Sequence, residues 1–181
     1  MEINIEKLKY PIGKFDVPTD ISEAYFKTAL DSILTFPNKL QSAIANISRE
    51  KFELQYRPNS WNVMQIIHHC ADSHMNALQR IKLALTENNP TIKPYLENEF
   101  VLLNDYTFES LNDAVQILKG VHNKLFLILN NLEEQDLSKI FFHPEHNKNF
   151  SIEETALSYA WHSNHHLAQI KQALKFENNF G

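Results

Sequence analysis

The sequence has little of several things that mark particular protein classes. Cys70 is its only cysteine, so no intramolecular disulfide can brace the chain, and a reducing compartment is permitted. Three glycines and seven prolines in 181 residues leave no room for a flexible linker, and no repeat or low-complexity tract divides the sequence. No apolar run approaches the roughly 20 residues of a membrane-spanning helix. Met1 to Tyr10 lacks the apolar block of a secretory signal, so the cytoplasm is the expected location. The 17 Lys and Arg are scattered among 22 Asp and Glu, which argues against nucleic acid as a partner. What remains is the expectation of one domain, residues 1–181, whose 43% apolar residues suffice for a continuous core.

The apolar periodicity predicts four helices. Ala24, Phe26, Ala29, Leu30, Ile33 and Leu34 form a helical stripe over Ser22–Phe36, and Pro37 is expected to kink or restart this helix before Leu40–Ile47. Asn62 followed by Gln65 reads as a capping box opening a second helix, Val63–Glu87, with Ile66, Ile67, Cys70, Met75, Leu78, Ile81 and Leu85 on its buried side. Asn88-Asn89-Pro90 ends it, and Thr91–Thr107 reads as a long surface connection, of a length that is often functional. A third helix spans Leu111–Leu132. A fourth starts at a Ser151–Glu154 capping box and runs to about Leu174, after a polar stretch, Ile140–Phe150, suited to a hairpin or lid. The pattern describes an all-α antiparallel four-helix bundle with a long connection after the second helix.

Histidine is the unusual component. Six of the nine lie in two short segments: His68, His69 and His74 on the second helix, and His162, His165 and His166 on the fourth. His162 and His166 are four apart, so their rings share one helix face and can grip one ion. A third ligand must come from elsewhere, and His68, His69 and His74 are the candidates. Three imidazoles leave a coordination position for water or substrate, the arrangement of a catalytic rather than a closed structural metal, and the ion would lower the pKa of its water to roughly 7. His165 points about 100° away from the pair, which predicts an exposed side chain. His122, His143 and His146 read as surface or hydrogen-bonded residues, and Cys70, on an apolar stripe, as simply buried. Asp72 and Gln169 stand three residues after His69 and His166, in place to orient rings or polar substrate atoms. Ser163 follows His162, so the pair lacks the glutamate of His-Glu-x-x-His.

Several segments together resemble the DinB-like superfamily and, within it, the YfiT-type metal-dependent hydrolases related to bacillithiol S-transferases. They are Tyr10-Pro11-Ile12-Gly13, Tyr56-Arg57-Pro58, Trp61, His68-His69, Ala71-Asp72-Ser73-His74-Met75-Asn76, Leu85-Thr86-Glu87, Lys93-Pro94-Tyr95, His143-Pro144, and Trp161-His162 with His165-His166. The resemblance implies a bundle whose metal is held by one histidine of the second helix and two of the fourth. It selects His69, eight residues after Trp61, together with His162 and His166. It also implies zinc or nickel, a homodimer, and a small-molecule substrate.

Three functions compete on these residues. The first is a hydrolase using a metal-bound water, with Asp72 outside the ligands as a proton-transfer or orienting group. The second is a thiol S-transferase, in which the metal presents a low-molecular-weight thiol whose carboxylates rest on Arg57 or Arg80. The third is a non-catalytic metal-binding stress-response module.

Overall fold

The computed structural model describes residues 4–180, so residues 1–3 and 181 of the expected 1–181 unit lie outside it. Seven helices and one hairpin follow in order: α1 (Ile5–Lys9), α2 (Glu23–Ile44), a 3-10 turn (Arg49–Glu53), α3 (Val63–Thr86), α4 (Glu97–Phe100), α5 (Leu111–Leu129), α6 (Glu134–Leu137), β1 (Ile140–His143), β2 (Lys148–Ser151) and α7 (Ile152–Phe176). The four long helices α2, α3, α5 and α7 form the expected bundle. Each of α2 and α3 packs against both α5 and α7, so these two consecutive long helices lie across the bundle diagonal from one another. No helix of the described residues is long and apolar enough to cross a membrane.

The helix starts follow their capping chemistry. Asn62 accepts from the Gln65 backbone N–H at 2.8 Å while Gln65 Oε1 accepts from the Asn62 N–H at 3.0 Å, which closes the expected capping box of α3. At α7 only half of the expected box forms. Ser151 Oγ accepts from the Glu154 N–H, but the Glu154 carboxylate turns to Lys148 at 2.6 Å, because the preceding hairpin brings that ammonium alongside.

Two expectations need correction. α2 does not restart at Pro37 but continues through it to Ile44. A proline inside a helix costs about 3 kcal/mol. Phe36 and Leu40, 1% and 0% exposed on the same face, each return about 1.5–3 kcal/mol through burial. Met75, expected on the buried side of α3, is 40% exposed, in a surface groove that α3 forms with Gln116, Ile117 and Gly120 of the helix α5. The long Thr91–Thr107 connection is present as expected; it contains α4 and is pinned to α3 by a hydrogen bond from Tyr106 Oη to Asp72 Oδ2 (2.7 Å) and by one from His68 Nε2–H to the Thr107 carbonyl (3.0 Å).

The interior is divided. One apolar cluster gathers Phe36, Leu40, Val63, Ile66, Ile67, Leu118 and Ile170, and a second gathers Leu30, Ile33, Ile81, Leu125, Leu129, Ile152 and Ala156. Between them, at the waist of the bundle, lie buried histidines from three helices: His69 and His74 of α3, His122 of α5 and His166 of α7, with the less buried His162 among them. The N-terminal segment lies along α7. It is held by the Gln172 amide donating to the Leu8 carbonyl (2.8 Å) and by Trp161 Nε1–H donating to the Gly13 carbonyl (3.3 Å). Gly13 sits at φ +83°, a conformation that suits glycine in the turn closing on the Tyr10 carbonyl.

Replacing Asn62 by Ala removes the side-chain acceptor of the α3 capping box, while the backbone N–H of residue 62 can still donate to Gln65 Oε1, and should lower stability by about 1 kcal/mol, measured by urea unfolding. An unchanged midpoint would show that the Asn62 cap contributes nothing.

Candidate metal centre

His162 and His166 stand one turn apart on α7, and His69 faces them from α3. The Nε2 atoms of His69 and His162 are 3.3 Å apart, those of His166 and His162 are 3.1 Å apart, and one ligand atom from each of the three rings falls within a 4.8 Å group. Tetrahedral zinc with Zn–N near 2.0–2.1 Å requires nitrogens roughly 3.3 Å from one another. The two separations from His162 match that spacing and the third lies within 4.8 Å, so the three rings could hold one small ion.

The protonation of His166 can be read from its neighbours. The Gln169 amide donates through Nε2 to the Lys9 carbonyl (3.0 Å) and to His165 Nε2 (2.9 Å), so its Oε1 is the acceptor facing His166 Nδ1 at 2.8 Å. His166 therefore carries its proton on Nδ1 and turns a bare Nε2 lone pair inward. The neutral form is the stable one: burial first, then the neighbouring His69 and His165, hold His166 well below the ordinary histidine range. Burial alone holds His69 down to about 4. Neutral imidazoles with converging lone pairs repel one another in a dry site and suit a cation.

His68 and His74, the other α3 candidates, are occupied elsewhere. His68 stacks on Tyr106 (centroids 4.9 Å apart) and bonds Thr107. His74 Nε2 lies 2.9 Å from His162 Nδ1, on the side of that ring away from His69. Cys70, His74 and His162 also fall within one 4.8 Å group. There, however, the two ring nitrogens share a hydrogen bond, and burial pushes the Cys70 thiol up, away from the thiolate a metal needs. Cys70 is fully buried, as expected.

His165 corrects the sequence reading: it is 6% exposed, stacked on Trp161 at a centroid distance of 4.5 Å and bonded to Gln169. A helical wheel places it off the ligand face but cannot see the N-terminal segment that covers α7, where Tyr10 lies 5.8 Å from its ring. His122 is hydrogen-bonded and 1% exposed, His143 is buried, and His146 is exposed. Asp72 is half-buried and bonded to Tyr106, with no hydrogen bond to His69. Burial raises its pKa, against the lowering effect of the Tyr106 hydroxyl. Gln169 does orient a ring, as its spacing suggested. Trp61 lies 4.7 Å from the His69 ring.

Beside the histidines is a cleft of about 440 Å³ whose lining includes Ser73, Arg80, Tyr95, Glu97, His143 and Tyr159. Tyr159 belongs to both regions: its hydroxyl donates to the Ser73 carbonyl (3.1 Å), and its ring lies 5.6 Å from that of His162. The hairpin supplies His143 to the cleft and is tied down by hydrogen bonds between Phe142 and residues 90 and 92. Arg80 Nε and His143 Nδ1 are both buried without a protein partner. Of the two arginines singled out in the sequence, only Arg80 lines this cleft. Arg57 bonds the Pro58 carbonyl (3.0 Å) and lies over the Tyr56 ring.

These features define a helical-bundle protein with a buried histidine cluster able to hold a metal ion. The chain belongs to the DinB superfamily, whose model matches residues 34–170. Over 166 residues it is 39% identical to "Putative metal-dependent hydrolase BH0277" of Halalkalibacterium halodurans, covering 92% of this chain and 96% of that one. It is 38% identical over 167 residues, at the same coverages, to "Putative metal-dependent hydrolase OB0782" of Oceanobacillus iheyensis. Among solved structures it superposes on YfiT from Bacillus subtilis, described as a probable metal-dependent hydrolase with an unusual four-helix bundle topology. The TM-score is 0.89 at 31% identity, over 96% of this chain and 99% of that one.

The buried imidazoles should make the metal-free protein acid-sensitive. His69 and His122 are both held near 4 by burial, whereas in the unfolded chain each takes up its proton near pH 6.5. Between those values only the unfolded state is protonated, so each group removes up to about 1.4 kcal/mol of stability per pH unit as pH falls, and nothing above the window. Urea midpoints of the metal-free protein should drop between pH 7 and pH 5. A flat profile would contradict neutral burial.

Proposed function

We propose that the protein is a metal-dependent hydrolase of a small molecule, with one divalent ion, zinc or nickel, held by His69, His162 and His166. The observation that carries this reading is the convergence of their Nε2 atoms, 3.1 and 3.3 Å from one to the next. Three imidazoles suit zinc or nickel better than the oxygen-preferring magnesium or calcium. Three protein ligands are characteristic of catalytic rather than structural sites. A bound ion supplies Lewis acidity toward water and a carbonyl or similar oxygen.

The chain's own residues divide the remaining tasks. Gln169 holds the His166 ring in its ligand orientation. Asp72 is the proton-transfer group; burial raises its pKa above the usual carboxylate range, which makes it a better proton acceptor than an exposed aspartate. The cleft takes the substrate. Arg80, whose buried Nε lacks an acceptor, binds an anionic group such as a carboxylate there. That last feature also supports the transferase reading, because low-molecular-weight thiols carry carboxylates. Turnover of the metal-loaded protein on ester and amide substrates, with and without a thiol cosubstrate, separates the two: a strict thiol requirement favours transfer. The exposed Leu96, Leu102 and Leu103 around α4 offer apolar surface for a homodimer.

Elemental analysis of purified variants tests the ligand assignment. His69→Ala, His162→Ala and His166→Ala should each lose stoichiometric metal. His165→Ala should retain it, because Gln169 stays anchored through the Lys9 carbonyl. Full metal in the His162 variant would sink the assignment. Asp72→Asn should keep its metal yet lose about 10²–10⁴-fold in kcat; unchanged turnover would remove Asp72 from the mechanism.

A further inference from the structure

Behind His162 runs a chain of hydrogen bonds that crosses the bundle and has only one consistent direction. The Ile33 carbonyl oxygen can only accept, and it lies 2.6 Å from His122 Nδ1, so that nitrogen bears the proton. His122 and His74 are 1% and 0% exposed with no carboxylate among their hydrogen-bond partners, so both rings are neutral and His122 Nε2 is bare. Its neighbour, His74 Nδ1, must then be the donor across their 2.5 Å contact. The same logic leaves His74 Nε2 bare, to accept from His162 Nδ1–H at 2.9 Å. His162 therefore turns a bare Nε2 toward His69 and His166.

Proline supplies the origin of this polarity. In a regular helix the Ile33 carbonyl would accept from the N–H of residue 37, but residue 37 is Pro37 and has none. The freed acceptor points at α5 and is taken by His122. Ile33, His122, His74 and His162 stand near the midpoints of α2, α5, α3 and α7, so one layer of the bundle contains the whole chain. Phe36 covers it, with ring centroids 5.1 Å from His122 and 5.7 Å from His74.

We infer that His122 and His74 are positioning residues of the metal centre, which transmit the polarity of the Pro37-freed Ile33 carbonyl across the bundle and fix the proton of His162 on Nδ1, presenting Nε2 as the ligand atom. The inference rests on the reading of His162 as a ligand. It goes further in making two histidines that touch no metal necessary for tight binding.

The test begins on the unmutated, metal-free chain, with histidine labelled in both ring nitrogens and long-range ¹H–¹⁵N spectra reporting each tautomer. His74, His122 and His162 should all be protonated on Nδ1. A proton on Nε2 of His74 or His122 overturns the inference, whether or not the protein binds metal. Competition titration with Zn²⁺ then measures the consequence. His122→Phe should weaken binding about 10- to 100-fold, the usual cost of losing a partner behind a ligand, with a mixed tautomer signal at His162. His122→Gln can donate to Ile33 and accept from His74, and should restore wild-type affinity; failure of that rescue in a folded variant overturns the relay. Wild-type affinity in folded His122→Phe does the same. If the unmutated protein fails to bind zinc or nickel stoichiometrically while the tautomers are as stated, the metal assignment has failed and the polarity of the chain has not.

Discussion

The structure depends on holding a layer of imidazoles neutral and oriented inside a bundle that is otherwise apolar at that depth. A buried polar group without a partner costs on the order of 1–3 kcal/mol, so each ring needs a defined donor or acceptor. Two backbone carbonyls meet this demand from outside the cluster. The Lys9 carbonyl fixes the Gln169 amide and through it His166, and the Ile33 carbonyl fixes His122 and through it His74 and His162. The N-terminal segment and the Pro37 turn of α2 are thus parts of the site, although neither supplies a ligand. His69 is different, for its Nδ1 is buried without a protein partner.

Much of this was legible in the sequence. Helix starts at Asn62 and Ser151, the periodicity of the four long segments, and the four-residue spacing of His162 and His166 depend on local rules, and the structure follows them. The choice among His68, His69 and His74 does not follow from local rules, since all three lie on α3 and only the packing of α7 and the 87–110 connection separates them. The resemblance named His69, and the geometry places its Nε2 beside that of His162. His165 was misjudged because a helical wheel assigns faces without knowing what lies on them. The role of His122 was invisible because its partners sit 48 and 89 residues away. Pro37 carried a signal that pointed elsewhere: a proline in a helix announces a break, and here it instead releases a carbonyl.

The division of the core has a functional corollary. Apolar clusters on both sides of the histidine layer shield most of it from bulk water and strengthen its electrostatic interactions, with His162 the less buried member. The cleft reaches this layer at Tyr159, which packs on His162 and bonds α3 at Ser73. In the proposed reading, a substrate held by Arg80 of α3 would lie against that wall, beside Tyr159 of α7. The long connection after α3 places Tyr106 over Asp72 and is tied to the bundle by their hydrogen bond.

The proposed metal centre stands or falls on three imidazoles, those of His69, His162 and His166, binding one ion together. X-ray absorption at the zinc or nickel edge of the loaded protein tests it most directly. The expected coordination sphere contains three imidazole nitrogens, at about 2.0–2.1 Å for zinc, and no sulfur. A sulfur shell near 2.3 Å, placing the ion on Cys70 with His74 and His162, or fewer than three imidazoles, would contradict it.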